Sequence, residues 1–392
     1  MTQLAVNIKT WIREAAGRLG FDLCGIAPAA TPARDREQYL WWLEEDFHGE
    51  MKYMERPQRR DIRELLPSVR SVICVAVVYN TSFPKSTETQ DKTRGWISRY
   101  AWGEDYHRVL EEQLKKLLEE LRAAVNYPFD AKIYVDTGPL LERALARAAG
   151  LGWIAKNTCL IHPKLGSWFV VGEILTSLEL ESDAPAQDRC GTCTRCIDAC
   201  PTAAIVEPYV LDATRCISYF TIELRGGIPE EFRADMGRHV FGCDICQDVC
   251  PWNRKAPFTM LPGFQPRTFD SPTDPESELK NSIQSQDESA SDSFSPCTEE
   301  STREPESHFP APSLFSPPLD WLASLAEEDF RKLFQHSPVK RARYQGLLRN
   351  VAVAMGNSRE PKFRPILQKL AEYPDRVVQE HARWALQQLD LK

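Results

Sequence analysis

Cys190-Gly-Thr-Cys193-Thr-Arg-Cys196-Ile-Asp-Ala-Cys200-Pro201 is the stretch from which the rest of the chain can be read. Three cysteines two residues apart, then a fourth after three more and a proline, give C-x2-C-x2-C-x3-C-P. A second run, Cys243-Asp-Ile-Cys246-Gln-Asp-Val-Cys250-Pro251, repeats the last three positions, and Cys216 lies upstream as the missing ligand. Paired C-x2-C motifs also build tetrahedral zinc sites, but three evenly spaced cysteines closed by Cys-Pro fit zinc poorly. Two 4Fe–4S clusters need eight thiolates, and these runs with Cys216 supply eight.

The spacing resembles that of bacterial ferredoxins, in which the fourth cysteine of each run crosses to the other cluster. It predicts one cluster on Cys190, Cys193, Cys196 and Cys250, and another on Cys200, Cys216, Cys243 and Cys246. Adjacent clusters pass electrons singly, so the expected chemistry is one-electron reduction of a centre elsewhere in the chain. Cys24 and Cys74 sit in apolar runs and read as core, Cys159 stays open, and Cys297 reads as incidental. Met1 to Lys9 lacks the basic start and apolar stretch of a secretory signal, and no apolar run reaches the length of a membrane span. Together with the thiol count this predicts metal binding in a reducing cytoplasm and no membrane partner.

Working outward, the chain divides into four parts. Residues 3–19 carry Leu4, Ile8, Trp11, Ile12, Ala15 and Leu19 at helical spacing. Ser71–Tyr79 is a continuous apolar, β-branched run and predicts a buried strand. Asp105–Val125 predicts an amphipathic helix, Ala131–Thr137 a strand, Pro139–Gly150 a helix with Pro first and Gly last, and Ser167–Leu180 one or two strands. The alternation gives an α/β or α+β domain over 1–184. A ferredoxin-like two-cluster module follows over 185–264. Residues 265–318 hold nine Pro and twelve Ser with few aromatics and predict a disordered acidic insertion. Helical periodicity returns over 319–392 as Leu319–Gln335, Lys340–Met355, Lys362–Glu372 and Arg376–Leu389, the pattern of an all-α, HEAT-like repeat unit.

Charge follows the same division. The chain has 392 residues and a formal net charge of −8. Residues 265–318 contain eleven acidic and three basic residues, so that segment alone accounts for the imbalance. The 319–392 unit has thirteen basic and nine acidic residues. Lys340, Arg341, Arg343 and Arg349 cluster at one helix and are the candidate phosphate contacts of an RNA-binding face. The bland alternative is an ordinary solvated helix face.

The ordered set of motifs resembles the epoxyqueuosine reductase family, cobalamin-dependent iron–sulfur enzymes of tRNA modification. The matching stretches are Arg60-Asp-Ile-Arg-Glu-Leu-Leu-Pro67, Ser98-Arg-Tyr-Ala-Trp-Gly103 with Asp105-Tyr-His107, and Val135-Asp-Thr-Gly-Pro139. Gly152-Trp-Ile-Ala-Lys-Asn-Thr158, Gly166-Ser-Trp-Phe169, the eight cysteines and Cys216-Ile-Ser-Tyr-Phe-Thr-Ile-Glu-Leu224 continue the series. Gly346-Leu-Leu-Arg-Asn-Val-Ala-Val-Ala-Met-Gly-Asn357 closes it. The resemblance spans the chain except 265–318.

The resemblance implies a cobalamin in the N-terminal domain and reduction of epoxyqueuosine to queuosine at the tRNA wobble position. Opening an epoxide to an alkene takes two electrons and two protons and releases water, so a general acid must stand beside the cofactor. Asp136 matches the family's proposed proton donor, and burial against the corrin is expected to raise its pKa for that role. The alternative is that Asp136 merely caps the helix starting at Pro139. Cofactor contacts implied by the family are Arg59 or Arg60, Arg99, Asp136, Lys156, Asn157, Thr158, Ser167 and Ser218. Asp105-Tyr-His107-Arg-Val-Leu110 has Leu where the D-x-H-x-x-G motif of other cobalamin carriers has Gly, so His107 is not assigned to cobalt. A flavodoxin- or ferredoxin-type electron donor and a monomeric state complete the expectation. Two other classes use similar parts: a cobalamin-dependent reductive dehalogenase of small molecules, which has no use for a basic helical tail, and an iron–sulfur electron carrier without cobalamin.

Overall fold

The structure, a computed structural model, describes residues 2–269 and 312–391. From the N-terminus run α1 (Thr2–Arg18), β1 (Leu23–Pro28), α2 (Ala33–Glu44), β2 (Ser71–Val78), the short β3 (Trp96–Ile97), α3 (Tyr106–Ala124), β4 (Ala131–Tyr134), α4 (Glu142–Ala148), the hairpin β5 (Trp153–Ile154) and β6 (Leu160–Ile161), and β7 (Phe169–Thr176). Next come α5 (Arg195–Asp198), β8 (Ile205–Glu207), β9 (Val210–Leu211), α6 (Ile217–Ile222), α7 (Glu230–Arg233), β10 (His239–Phe241) and α8 (Ile245–Asp248). The last part holds α9 (Leu319–Ser324), α10 (Glu327–Leu333), α11 (Tyr344–Ser358), α12 (Arg364–Leu370) and α13 (Arg376–Asp390). Among the described residues no helix is long and apolar enough to cross a membrane.

The central sheet has the order β1-β2-β7-β4. β2 is buried at every position because both faces are covered. Ile73, Val75 and Val77 face Ile12 of α1 and Leu110, Leu114, Leu117 and Leu121 of α3. Val72, Cys74, Ala76 and Val78 face Leu145 and Ala148 of α4. This is the period-two alternation of a strand sandwiched between two apolar layers. All neighbouring strands of the sheet pair antiparallel, so the core is α+β rather than a parallel α/β sheet. A run apolar on both faces fixes burial but not strand direction.

Other expectations shift at their ends. The Asp105 carboxylate accepts from the His107 amide and caps α3, as its position predicts. The helix expected from Pro139 starts only at Glu142, with Leu141 as its N-cap. Asp136 therefore does not cap it. The expected Leu319–Gln335 helix is split into α9 and α10 where Leu325 turns extended.

Residues 319–392 do not close a core of their own. Leu347, Leu348, Val351, Val378 and Trp384 share one apolar cluster with Phe220 of α6, Ile228, Met236, and Val240 and Phe241 of β10. β10 in turn pairs parallel with β3. The boundary at 319 is thus a change of periodicity, not a break in packing. The expected disorder over 265–318 is corrected at both ends. The Phe269 amide donates to Pro312 O at 2.8 Å, the Leu314 amide to Arg267 O at 3.0 Å, and Leu314 is fully buried. Buried apolar side chains at each end anchor these flanks. The rest of the insertion, residues 270–311 with Cys297, lies outside the described residues.

Arg349 corrects the basic-face expectation. It is 1% exposed. Its guanidinium donates to Leu224 O at 3.0 Å, Gly226 O at 2.6 Å, Phe220 O and the Asn350 side chain. Asn350 itself donates to Thr221 O and Val240 O. Arg349 therefore fastens α11 to the loop after α6 and has no donor left for a phosphate. Arg349→Met should lower folding stability by about 3 kcal/mol, since the carbonyls it serves would be buried unpaired. Thermal unfolding checks the loss, and the affinity of the folded variant for tRNA should stay unchanged.

Candidate active site and cluster ligands

The seven cysteines of the two runs and Cys216 are free thiols, Cys250 buried and the others half-buried. They fall into two neighbourhoods. Cys196 is raised by burial and by Cys250 and Cys190, and Cys250 by burial, Cys190 and Cys193. Cys243 is raised by burial, Cys216 and Cys200, and Cys246 is next to Cys243 and Cys216. No three metal-ligating side chains among the described residues converge closely enough for a single ion. Cys159, left open by the sequence, meets Cys246 thiol to thiol.

Several side chains expected to face a cofactor seat the cysteine module on the N-terminal frame. Lys156 Nζ donates to Gly191 O at 2.7 Å and Cys193 O at 3.0 Å. Asn157 Nδ2 reaches Cys246 O at 3.4 Å. Ser167 Oγ donates to Gln247 Oε1 at 2.8 Å, and its amide donates to Asn253 Oδ1 at 2.7 Å. The preceding Gly166 has φ +69°, and a Cβ there would stand 2.1 Å from Asn253 Oδ1. Only glycine allows both the turn and the approach. On the other side, the Asp244 carboxylate accepts from Ser98 Oγ and from the Arg99 amide.

The arginines turn inward as well. Arg99 is buried, donates to Thr81 O, Phe83 O and Pro84 O, and lies against the Trp102 and Trp168 rings. Arg59 is buried and donates to Leu140 O at 2.7 Å, bracing the loop after Asp136. Arg60 stays exposed, and Thr158 and Ser218 are half-buried. Thr158 has φ +63° and its carbonyl accepts from Arg143.

Asp136 stands at a tight turn. Its φ is +52°, and the Thr137 amide donates back to Val135 O across it. A non-glycine residue in that region is strained and is kept only where the surroundings impose it. Here they do: Tyr106 Oη donates to Asp136 Oδ2 at 2.8 Å, and the Asp136 amide bonds the Glu142 carboxyl. His107 Nε2 lies 3.3 Å from the same Oδ2. The Asp136 side chain is 55% exposed although protein surrounds it, so it faces an open hollow.

The charges around it run in a line. Asp105, almost fully buried, takes His107 Nδ1 at 2.6 Å and Lys340 Nζ at 2.8 Å. Burial works against the imidazolium of His107, but the Asp105 and Asp136 carboxylates outweigh it and push the ring up to about 9. The surrounding protein would raise Asp136, but His107 and Tyr106 outweigh it and hold the carboxyl below its usual value. The cation next to Asp136 could not be foreseen from spacing. Lys340 and Arg341 also differ from simple phosphate contacts. Arg341 Nε donates to Glu223 Oε1 at 2.5 Å and its guanidinium lies over the Tyr53 ring, while Arg343 stays exposed.

Behind Asp136 lies a second acidic pair that sequence reading passed over. Glu173, in the middle of β7, is fully buried, and neither of its carboxyl oxygens has a hydrogen-bond partner. Burial pushes it up to about 8, with the Asp136 charge adding to the rise. Glu142 is raised by burial, Glu173 and Asp136 together. The signal was a lone charged residue inside an otherwise apolar strand.

Two family models match the chain: epoxyqueuosine reductase QueG, DUF1730, over residues 59–137, and a 4Fe–4S double cluster binding domain over residues 189–253. The epoxyqueuosine reductase of Xanthomonas campestris is 38% identical over 99% of this chain and 96% of its own length. That of Pseudomonas aeruginosa is 39% identical over 98% and 94%. The chain belongs to the epoxyqueuosine reductase family.

Solved structures agree on the whole fold. A crystal structure of an epoxyqueuosine reductase with an epoxyqueuosine-modified tRNA-Tyr stem loop superposes with TM-score 0.80 at 29% identity, covering 98% of this chain and 91% of that one. The Bacillus subtilis family member, captured with an aspartate-bearing catalytic loop swung out of its active site, gives 0.79 at 29% identity over the same shares. The mixed α/β architecture with a double-cluster domain is thus that of the family.

The Glu173 carboxyl allows a test of this buried pair. Its folded pKa lies above the unfolded value of about 4.3, so the folded state binds the extra proton and stability falls as pH rises between the two. Glu173→Gln removes that loss. Relative to the parent, its melting temperature should gain between about pH 5 and about pH 8. An equal difference at both pH values would show that Glu173 does not titrate there.

Proposed function

We propose that this chain reduces epoxyqueuosine to queuosine in tRNA, as an oxidoreductase that feeds electrons through two 4Fe–4S clusters to cobalamin. The observation that carries the reading is the conjunction of two four-thiol neighbourhoods with an aspartate held in a strained turn over an open hollow. The clusters would be held by Cys190, Cys193, Cys196 and Cys250, and by Cys200, Cys216, Cys243 and Cys246. The donor set fits: eight thiols, no disulfide partner and two groups of four.

The residues around Asp136 also fit a large polar cofactor that needs no protein ligand on its metal. The hollow is open, and Arg60, Thr158 and Ser218 keep polar groups at or near the surface to hold amide and phosphate groups. Arg59, Arg99, Lys156, Asn157 and Ser167 act one layer further out, fixing the frame. When bound, cobalamin would supply the reducing centre that the clusters feed with electrons. Asp136 then gives a proton to the leaving oxygen, Tyr106 orients the carboxyl, and a second proton completes the water released.

The tRNA reading is supported by the family member solved with a modified stem loop. Arg343 is the contact left from the expected basic group, since Arg349 is buried and Lys340 and Arg341 bond protein carboxylates. The target base must leave its loop to reach the hollow. The helices of 319–392 are read as a HEAT-like unit that presents this face. A flavodoxin- or ferredoxin-type donor, a monomeric state and a cytoplasmic site belong to the same reading.

Mass spectrometry of nucleosides from epoxyqueuosine-containing tRNA, after incubation with the reduced enzyme and cobalamin, tests the activity directly. Queuosine should appear, and its absence would sink the assignment. Asp136→Asn should keep both clusters yet lose turnover by about 10²–10⁴-fold. Cys250→Ser should lose one cluster and keep the other, so that bound iron drops from about eight to about four. Unchanged iron would exclude Cys250 as a ligand.

A further inference from the structure

His107 has one ring nitrogen whose placement its hydrogen bonds do not account for. Its Nδ1 is taken by Asp105 at 2.6 Å. Its Nε2 is buried and makes no well-aligned hydrogen bond, although Asp136 Oδ2 lies 3.3 Å away. A buried N–H without a linear acceptor is costly, so it calls for an explanation. The ring is held from three sides: Asp105 caps the helix beneath it, Tyr106 stacks on it with centroids 4.2 Å apart, and Lys340 from the C-terminal part clamps Asp105 at 2.8 Å. It therefore cannot swing to another partner without breaking these contacts.

Resting on the reading of Asp136 as the acid, we propose that His107 and Asp136 work as one proton-delivering pair, with the proton stored on His107 Nε2 and passed through Asp136 to the substrate oxygen. The Nε2–H bond breaks as the Asp136 Oδ2–H bond forms. That bond breaks in turn as the leaving oxygen gains its hydrogen, and a proton taken up from solvent restores the imidazolium. No electrons come from the pair; both arrive through the clusters.

The electrostatics agree with the geometry. A ring held up to about 9 keeps its proton at neutral pH, whereas an Asp136 held low has none of its own to give. The groups facing the pair are Asp105, Tyr100, Tyr106, Lys340, Arg341, Tyr53, Glu142, Glu173 and Glu223. Of these, Arg341 reinforces the lowered Asp136, and half-buried Glu142 and buried Glu173 are raised by its charge. Lys340 acts through Asp105 and is a positioning residue.

The test has a readout independent of turnover. NMR of histidine-labelled iron–sulfur protein, with neither cobalamin nor tRNA added, should show His107 titrating near 9 and moving down in Asp136→Asn. In the loaded enzyme, His107→Gln should lower kcat about 10²-fold at neutral pH, leave KM for tRNA within about two-fold, and recover as pH falls, because without the neighbouring cation Asp136 takes up its own proton more readily. Unchanged cluster absorption and tRNA binding would show the variant folded. A His107 titrating in the ordinary range, or a His107→Gln profile like the parent's, overturns the pair. If Asp136→Asn is inactive in either case, the reading of Asp136 as the acid stands; an active Asp136→Asn removes both.

Discussion

The cysteine module cannot hold itself together. Its helices α5 and α8 are four residues each, and its strands are two or three residues long. Such short pieces bury too little apolar surface to be stable alone. Thiols meant for clusters must nevertheless be held at fixed positions. The structure meets this constraint with polar bonds from outside. Lys156, Asn157 and Ser167 hold one side, and Asp244 locks onto Ser98 and Arg99 on the other. The third side is apolar, where α6 and β10 share a core with α11 and α13.

Seen this way, the C-terminal helices are first a wall of the cluster module. Arg349 makes the point in one side chain: a cation on a helix of a basic region, spent entirely on carbonyls of the module. A desolvated guanidinium is costly unless each donor is satisfied, and here the carbonyls satisfy it. The same logic explains the insertion. The Phe269 amide meets Pro312 O at 2.8 Å, so the chain leaves and re-enters at adjacent points. Closure cost rises only slowly with loop length, which lets an acidic segment that carries the chain's whole charge imbalance be inserted without disturbing the core.

What the sequence made legible is what depends on local periodicity or covalent spacing. The β2 run, α3 with its Asp105 cap and the cysteine register are all of this kind. Strand direction was not legible, because a strand covered on both faces looks alike in either sheet type. Neither were the partners of buried cations. Arg59, Arg99, Lys156 and Arg349 are residue types that usually face water or a ligand, and only tertiary contacts reveal the carbonyls they serve. Helix ends failed for a similar reason: Pro139 is a good first helical residue, but the strained turn at Asp136 delays the helix to Glu142.

That turn also settles how charge is distributed around the hollow. Asp136 is pulled low by a cation, while Glu142 and Glu173 behind it are pushed high by burial and by the Asp136 charge, with Glu173 adding to the rise at Glu142. Three carboxyls close together cannot all ionise, and the one nearest His107 takes the charge. The order is imposed by position alone: Glu173 is sealed in the sheet and Glu142 half-buried in the first helical turn, whereas Asp136 opens to the hollow with His107 and Tyr106 upon it. Lys340 extends this order to the C-terminal helices, since it neutralises Asp105 and leaves His107 as the cation that faces Asp136. The site's charge state is therefore a property of the whole chain, assembled only when the C-terminal part is docked.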